Sequence, residues 1–271
     1  MFWDSNHSSS DIEDRRSERP AFGGGGGGGG FMSILAIGSR FGIKGILVAL
    51  LVIGGMTFAG PCSHATQRVA DRSPAGQTQQ DDPLVHFVGF VLDDVQKTWH
   101  AQLPDYTSSK LVLFRDSIGS ACGTATEAVG PFYCPIDKKV YIDLAFYDEL
   151  RTKLGAPGDF AQAYVIAHEL GHHIQDIRGL LGKGEVSSVA IELQADCLAG
   201  AWAQDAEKRG ELQVGDIDEA LNAASQIGDD TLQKKAGQQV QPERWTHGSA
   251  AQRSGNFKKG YSGGAKACGI N

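Results

Sequence analysis

One short motif constrains this chain more than any other feature, the H-E-x-x-H pattern at His168-Glu169-Leu170-Gly171-His172. It continues the apolar run 163–167, a composition that favours a buried helix. On a helix the two histidines lie one turn apart on one face, so both imidazoles can bind a single zinc ion. Glu169 then lies beside the metal, where its carboxylate can take a proton from water and pass it to a leaving amine. The motif therefore predicts the chemistry of a metallopeptidase with one Zn²⁺.

A zinc site with an open coordination position needs a third protein ligand. Glu192 and Asp196 lie about twenty residues after the motif, one helical turn apart in a largely apolar stretch. We predict Glu192 as the ligand and Asp196 as the acceptor of a hydrogen bond from the non-coordinating nitrogen of His168 or His172. The reverse assignment stays open, with Asp196 as the ligand and Glu192 as the orienting group, and Glu185 is a weaker candidate.

The motif does not extend to the longer pattern H-E-x-x-H-x-x-G-x-x-H. Gln175 and Arg178 stand where that pattern has the glycine and the third histidine, which excludes metzincin-type ligation. His173 lies about 100 degrees round the helix from His172, so we expect it to contact the core or the ligands rather than the metal.

Several other segments accompany the motif. They are Asp11-Ile12-Glu13-Asp14-Arg15-Arg16, Ser120-Ala121-Cys122-Gly123, Gly130-Pro131-Phe132-Tyr133-Cys134-Pro135, Val140-Tyr141-Ile142-Asp143-Leu144, residues 167–175, residues 192–200 and Glu243-Arg244-Trp245-Thr246-His247-Gly248-Ser249. In this combination the chain resembles the bacterial neutral zinc metallopeptidase family over most of its length. The resemblance implies a gluzincin-like peptidase anchored in a membrane, but it does not identify the substrate.

His247 is the second predicted catalytic residue. In gluzincin-like sites a distal histidine can donate a hydrogen bond to the oxyanion of the tetrahedral intermediate opposite the zinc, and the segment 246–249 resembles such a segment. The alternative is an ordinary loop histidine, because a single histidine carries little information.

The N-terminal part of the sequence is poor core material. Residues 1–40 are polar, charged and glycine-rich, with an unbroken glycine tract from Gly23 to Gly30, and they predict a disordered cytoplasmic tail. Residues 41–60 are apolar apart from Lys44 and approach the length that a bilayer requires, so they predict one transmembrane helix. A signal-peptide core is the alternative, although its n-region would be abnormally long.

The basic residues before this span set its predicted orientation. They include Arg40 and Lys44, and they place the N-terminus in the cytoplasm. We therefore expect a single-pass protein of the bacterial inner membrane, with its catalytic domain in the periplasm or outside the cell.

Residues 61–82 are polar and predict a linker, and residues 83–271 are long enough for one catalytic domain. Helical spacing of apolar residues over 84–99 predicts an amphipathic helix, and residues 110–114 and 139–144 predict short strands. We predict an α+β, zincin-like fold that is largely helical with a small sheet. Residues 130–143 are predicted to hold an extended peptide by main-chain hydrogen bonds.

The domain cysteines fit an oxidising compartment. Cys122 and Cys134 bracket a short loop, and Cys197 and Cys268 could join the ligand helix to the C-terminal tail, so two disulfides are predicted. These four cysteines allow three pairings. A cysteine zinc site is the rival interpretation, but the C-x-x-C spacing is missing.

Charge narrows the classes of partner. The 271-residue chain has a formal net charge of -7, and its basic residues are scattered, so nucleic-acid binding is not expected. We predict a zinc-dependent metalloendopeptidase that acts on a peptide or protein. Two alternatives remain: a non-catalytic, zinc-stabilised binding or chaperone module of the envelope, and a zinc amidase that acts on cell-wall amides.

Overall fold

The computed structural model describes residues 1–18, 82–126, 130–181 and 187–270. In these ranges it contains two sheets and seven α-helices. The elements are β1 (Ile12–Asp14), α1 (Asp82–Gln102), β2 (Lys110–Phe114), β3 (Ser117–Ser120), β4 (Gly123–Thr126), β5 (Phe132–Cys134), β6 (Lys139–Asp143), α2 (Ala145–Thr152), α3 (Asp159–Ile177), α4 (Ser188–Lys208), α5 (Asp216–Gln226), α6 (Asp229–Lys235) and α7 (Ala250–Ala267). The predicted α+β class, largely helical with a small sheet, is confirmed.

The main sheet has the strand order β1-β2-β6-β5. β1, β2 and β6 run parallel, and β5 runs antiparallel to β6 at one edge. Alternate residues of β2 and β6, such as Leu111 and Val140, face the helices, while Val112 and Tyr141 face a smaller cluster with Ile118 of the β3–β4 hairpin. Because both faces of these strands are covered, their sequences read as nearly continuous apolar runs.

Residues 1–18 are part of this fold. β1 pairs with β2, with Ile12 opposite Leu111, and the side chain of Met1 is only 2% exposed. The α-amino group of Met1 lies 3.0 Å from a carboxylate oxygen of Asp159 at the start of α3 and 3.3 Å from one of Asp216 at the start of α5. For residues 1–18 the predicted disordered tail is therefore wrong.

The physical reason for this difference is that the partners of the segment are distant in sequence. Lys110 pairs with Asp11, and Lys139 with Glu13, and Gln96 donates a hydrogen bond to Asp11. Composition and local periodicity carry no information about such contacts, so a polar strand is easily taken for a tail.

The predicted transmembrane helix at 41–60 lies outside the described residues. So do the rest of the predicted tail and all of the predicted linker except Asp82, where α1 begins. Within the described ranges, no helix is both long and apolar enough to cross a bilayer. The predicted membrane anchor and domain boundaries stay predictions.

Close backbone contacts bring together the helices that carry the site. A Cβ atom on Gly171 of α3 would lie 3.0 Å from the Cα of Ala195 in α4, so this glycine lets the two helices approach closely. Gly260 of α7 lies directly against the carbonyl group of Cys197 in α4. A disulfide between Cys197 and Cys268 links the same region to the residue after α7, and a second joins Cys122 to Cys134. Both predicted disulfides are confirmed.

Candidate active site

Three side chains converge where α3 crosses α4. His168, His172 and Glu192 each offer a ligand atom, and these atoms lie within 4.8 Å of one another. One carboxylate oxygen of Glu192 is 3.2 Å from Nε2 of His168, and the other is 3.5 Å from Nε2 of His172. Two imidazole nitrogens and one carboxylate oxygen are the donors that a catalytic zinc ion takes from a protein, so this set fits Zn²⁺.

Asp196 lies on the other side of His168. Its Oδ1 is 2.9 Å from Nδ1 of His168, and the carboxylate is fully buried. A carboxylate accepts a hydrogen bond, so Nδ1 of His168 carries a proton, and Nε2 is the nitrogen that faces Glu192. The structure thus places Glu192 beside the Nε2 atoms of both histidines and Asp196 at Nδ1 of His168.

His172 is oriented by a neutral partner. Its Nδ1 lies 2.8 Å from Oε1 of Gln175, while Nε2 of Gln175 donates to the carbonyl oxygen of Ile191 at 2.7 Å and to Oε1 of Gln194 at 3.0 Å. Because the amide nitrogen is occupied, its oxygen must face His172 and accept from Nδ1. Sequence patterns alone do not indicate this role of Gln175, although its position three residues after His172 on a helix places it beside that histidine.

Burial and charge keep the two carboxylates of α4 ionised. Burial would raise the pKa of Asp196, but the charge of Arg253 and the facing His168 hold that pKa well below its ordinary value. Burial acts in the same direction on Glu192, and the imidazoles of His168 and His172 overcome it, so that the pKa of Glu192 falls to about 2. Both groups are therefore negative at neutral pH and suited to a cation.

An open cavity of about 520 Å³ lies at this site. Glu169 is on its wall, 7% exposed, together with His168, His172 and Glu192. Much of the remaining wall is apolar, with Phe146, Val165, Leu181, Ile191, Ile227, Leu232 and residues 130–133 before and within β5. Tyr164 and Arg253 also line the cavity. Such a cavity can receive part of a substrate beside the candidate metal site.

His247 also lines this cavity. Its side chain is 49% exposed, and Nδ1 lies 3.3 Å from a carboxylate oxygen of Asp229, the first residue of α6. The other oxygen of Asp229 accepts hydrogen bonds from the backbone N–H groups of Thr246, His247 and Gly248. Asp229 therefore fixes the loop that brings His247 to the cavity.

His173 takes a structural position. Its Nε2 lies 2.6 Å from the carbonyl oxygen of Thr107, and its Nδ1 lies 3.0 Å from the hydroxyl of Tyr133 in β5. The same hydroxyl donates to Asp176 of α3 at 2.9 Å. These contacts attach the edge strand β5 to the helix that carries the H-E-x-x-H motif. Glu185, the weaker ligand candidate, lies outside the described residues.

Arg253 is the second residue of the site that sequence patterns alone do not indicate. It projects from α7, is 2% exposed, and forms an ion pair with Asp196 through Nε and Oδ2 at 2.9 Å. It lies 57 residues from Asp196 in sequence, so local spacing gives no indication of the contact.

The four domain cysteines are all in disulfides, which removes the rival cysteine zinc site.

The helix crossing, the histidine pair and the facing carboxylates are features of a zinc-peptidase class of protein. A family model described as "Putative neutral zinc metallopeptidase" matches residues 1–269, and the chain belongs to this family. The match includes residues 1–18, which form part of the fold.

Two relatives illustrate the extent of the similarity. Uncharacterized protein YpfJ of Escherichia coli (strain K12) is 38% identical over 289 residues, covering 98% of this chain and 97% of the relative. Uncharacterized protein Rv2575 of Mycobacterium tuberculosis (strain ATCC 25618 / H37Rv) is 43% identical over 190 residues, covering 64% of this chain and 65% of the relative. No solved structure matches the chain.

Proposed function

We propose that the protein is a zinc-dependent metalloendopeptidase that holds one Zn²⁺ through His168, His172 and Glu192. The observation that carries this proposal is the convergence of the three ligand atoms within 4.8 Å at an open cavity. Each histidine is oriented through Nδ1 by its own partner, Asp196 or Gln175, so Nε2 is the nitrogen directed at the site.

Glu169 is the proposed general base and acid. Zinc, when bound, supplies a Lewis acid that polarises the scissile carbonyl and lowers the pKa of water. The Glu169 carboxylate takes a proton from the attacking water and then gives it to the leaving amine nitrogen. Its position next to His168 on α3, on the cavity wall, supports this role.

His247 is the proposed donor to the oxyanion of the tetrahedral intermediate. It reaches the cavity from the loop before α7, on an element different from both ligand helices. A donor placed in advance at the developing charge stabilises the transition state more than the ground state. Asp229 supports this placement because it holds both the ring and the backbone of the loop.

The substrate is proposed to be a peptide bound in extended form beside β5. This strand is the last in its sheet, and residues 130–133 lie on the cavity wall. An extended peptide can add to such an edge by main-chain hydrogen bonds, which demand little of its sequence. The apolar wall, which includes Val165 and Ile191, favours an apolar side chain next to the scissile bond.

An enzyme is favoured over a zinc-stabilised binding module by the openness of the site. Structural zinc sites are closed by four protein ligands, whereas among the described residues three ligand atoms meet at a cavity that Glu169 and His247 also line. The two disulfides support an oxidising compartment, the periplasm or the cell exterior, as the place of action.

The test is hydrolysis of a mixed peptide library by the zinc-loaded full-length protein and by an equally loaded Glu169→Gln variant. The full chain is needed because residues 1–18 are part of the fold. We expect cleavage beside apolar residues by the wild type and a loss of at least about 100-fold in the variant, since general acid–base catalysis contributes about 10²–10⁴-fold. Equal cleavage by both proteins contradicts the role of Glu169. Silence of both proteins, with zinc bound, favours the binding module or the amidase.

A further inference from the structure

Arg253 of α7 contacts Asp196 beside the candidate metal site and also lines the cavity. Its guanidinium makes two contacts with the Asp196 carboxylate, from Nε to Oδ2 at 2.9 Å and from Nη2 to Oδ1 at 3.0 Å. Two parallel contacts from a planar fork set the plane of a carboxylate as well as its position. Asp196 is therefore held in one orientation.

The guanidinium is occupied by protein groups. Besides its contacts with Asp196, Nη2 donates to the hydroxyl of Tyr164 at 3.2 Å, and Nη1 donates to the carbonyl oxygen of Ile227 at 3.4 Å. The Tyr164 hydroxyl in turn donates to Oδ1 of Asp196 at 2.5 Å. Arg253 is 2% exposed. Nε, Nη1 and Nη2 each have a partner within the protein, so the contacts of Arg253 order the protein's own groups.

The orientation of Asp196 decides the orientation of His168. Oδ1, the oxygen shared by Arg253 and Tyr164, is also the atom that accepts from Nδ1 of His168 at 2.9 Å. Because the imidazole ring is rigid, holding Nδ1 also sets the direction of Nε2, which faces Glu192. The contacts thus run from α7 through Asp196 to a proposed zinc ligand on α3, and Nη2 of Arg253 also lies 3.4 Å from Nδ1 of His168.

We propose that Arg253 is a positioning residue of the metal centre, which fixes Asp196 and through it directs Nε2 of His168 at the metal. This inference rests on the zinc site proposed above. Arg253 does not touch the reacting atoms. Its role is to keep one of the two histidine ligands in place before the metal arrives.

The packing of α7 on α4 supports this role. Gly200 and Gly260 bring the two helices into direct backbone contact, and the Cys197–Cys268 disulfide attaches the end of α7 to the residue after Asp196. Arg253 therefore projects from a helix that is fixed relative to Asp196. A fully buried carboxylate such as Asp196 also needs a positive partner, because an unpaired buried charge is strongly destabilising.

The test compares zinc binding by the full-length wild type with that of Arg253→Met and Arg253→Lys. Affinity is measured by competition with a chromophoric chelator, and the coordination geometry is followed by the visible absorption of bound Co²⁺. We expect Arg253→Met to lose about 10–100-fold in zinc affinity, the usual effect of losing an outer partner, and to show altered Co²⁺ bands. Arg253→Lys keeps the charge but not the fork, so we expect a smaller loss.

Arg209, the residue after α4, provides a matched control. It pairs with Asp94, Asp205 and Glu211 and is 22% exposed. We expect Arg209→Met to lower Tm while leaving the zinc affinity and the Co²⁺ bands as in the wild type.

The outcomes separate this inference from the proposed function. Wild-type zinc affinity and Co²⁺ bands in Arg253→Met overturn the positioning role, and so do equal changes in Arg209→Met. If Arg253→Met does not fold, wild-type binding by Arg253→Lys overturns it. A wild-type protein that binds no zinc overturns the proposed function itself.

Discussion

The helix pair α3–α4 and the N-terminal segment 1–18 are held to the same domain by different forces. α3 buries Tyr164, Ile166 and Leu170 completely. Each such side chain contributes about 1.5–3 kcal/mol. The N-terminal segment buries the side chain of Met1 and packs Trp3 edge-on against Phe87, with ring centroids 5.3 Å apart. Most of its other contacts are polar.

The polar contacts of the segment are individually weak. The Lys110–Asp11 and Lys139–Glu13 pairs are partly exposed, and exposed ion pairs add little to stability because water and salt screen them. The segment is ordered because it makes many weak contacts at once and because its strand β1 pairs with the backbone of β2. A helix such as α3 carries its driving force in its own apolar residues, whereas β1 depends on surfaces built by the rest of the domain.

Deletion of residues 1–18 is the change that we expect to destabilise the domain most. It removes Met1, Trp3 and Ile12 from the core and leaves the β2 edge unpaired. We expect a loss of about 5 kcal/mol from burial alone, which lowers Tm by about 10–20 °C in a domain of this size. Thermal unfolding of the full-length and shortened chains measures it. A chain that lacks only Gly23–Gly30 is the control, and a wild-type Tm in the 1–18 deletion contradicts the account.

The strand pairing also restricts the arrangement of the chain at a membrane. Because β1 is hydrogen-bonded to β2, residues 1–18 and the catalytic domain must lie on one side of any bilayer. The orientation predicted from the basic residues places them on opposite sides, and the two arrangements cannot hold together.

Labelling of intact cells decides between these arrangements. Phe2 is 58% exposed, and Val214 is fully exposed, so each can carry a cysteine in a chain where Cys62 is replaced by serine. We expect an impermeant thiol reagent to label Phe2→Cys and Val214→Cys to the same extent. Lysed cells serve as the control for reactivity. Labelling of one variant without the other contradicts the pairing of β1 with β2.

The smallest predicted effect is the difference in stabilisation between the two disulfides. Cys197 and Cys268 are 71 residues apart, whereas Cys122 and Cys134 are 12 apart. In the chain-entropy account the longer loop gains roughly 1.5 kcal/mol more stability than the shorter one. We expect replacement of Cys197 and Cys268 by alanine to lower the free energy of unfolding more than replacement of Cys122 and Cys134. Chemical denaturation measures both, and the reverse order contradicts the role of the longer link.

The sequence predicts best those parts of the site that depend on local spacing. His168 and His172 share a face because four residues make about one helical turn, and Glu192 and Asp196 are related in the same way. The α+β class follows from apolar patterns that differ between helix and strand. The positions of Glu192 and Asp196 relative to the histidines follow from the packing of α3 on α4 at Gly171.

The remaining parts depend on contacts between distant segments. Arg253 reaches Asp196 only because α7 packs on α4, and β1 reaches β2 across about a hundred residues. Gln175 is a different case. It is close to His172 in sequence, but its role depends on Ile191 and Gln194, which fix the direction of its amide. Propensity and periodicity describe one segment at a time and do not report such partners.

The central claim is that His168, His172 and Glu192 together hold one zinc ion. The most direct measurement is the zinc content and affinity of the full-length wild type beside Glu192→Gln and Asp196→Asn. We predict one zinc per chain in the wild type and a loss of about 10–100-fold in affinity for Asp196→Asn, as for other outer partners. Glu192→Gln should lose more, because it removes a ligand. Wild-type affinity in Glu192→Gln, or a wild type without zinc, would contradict the account.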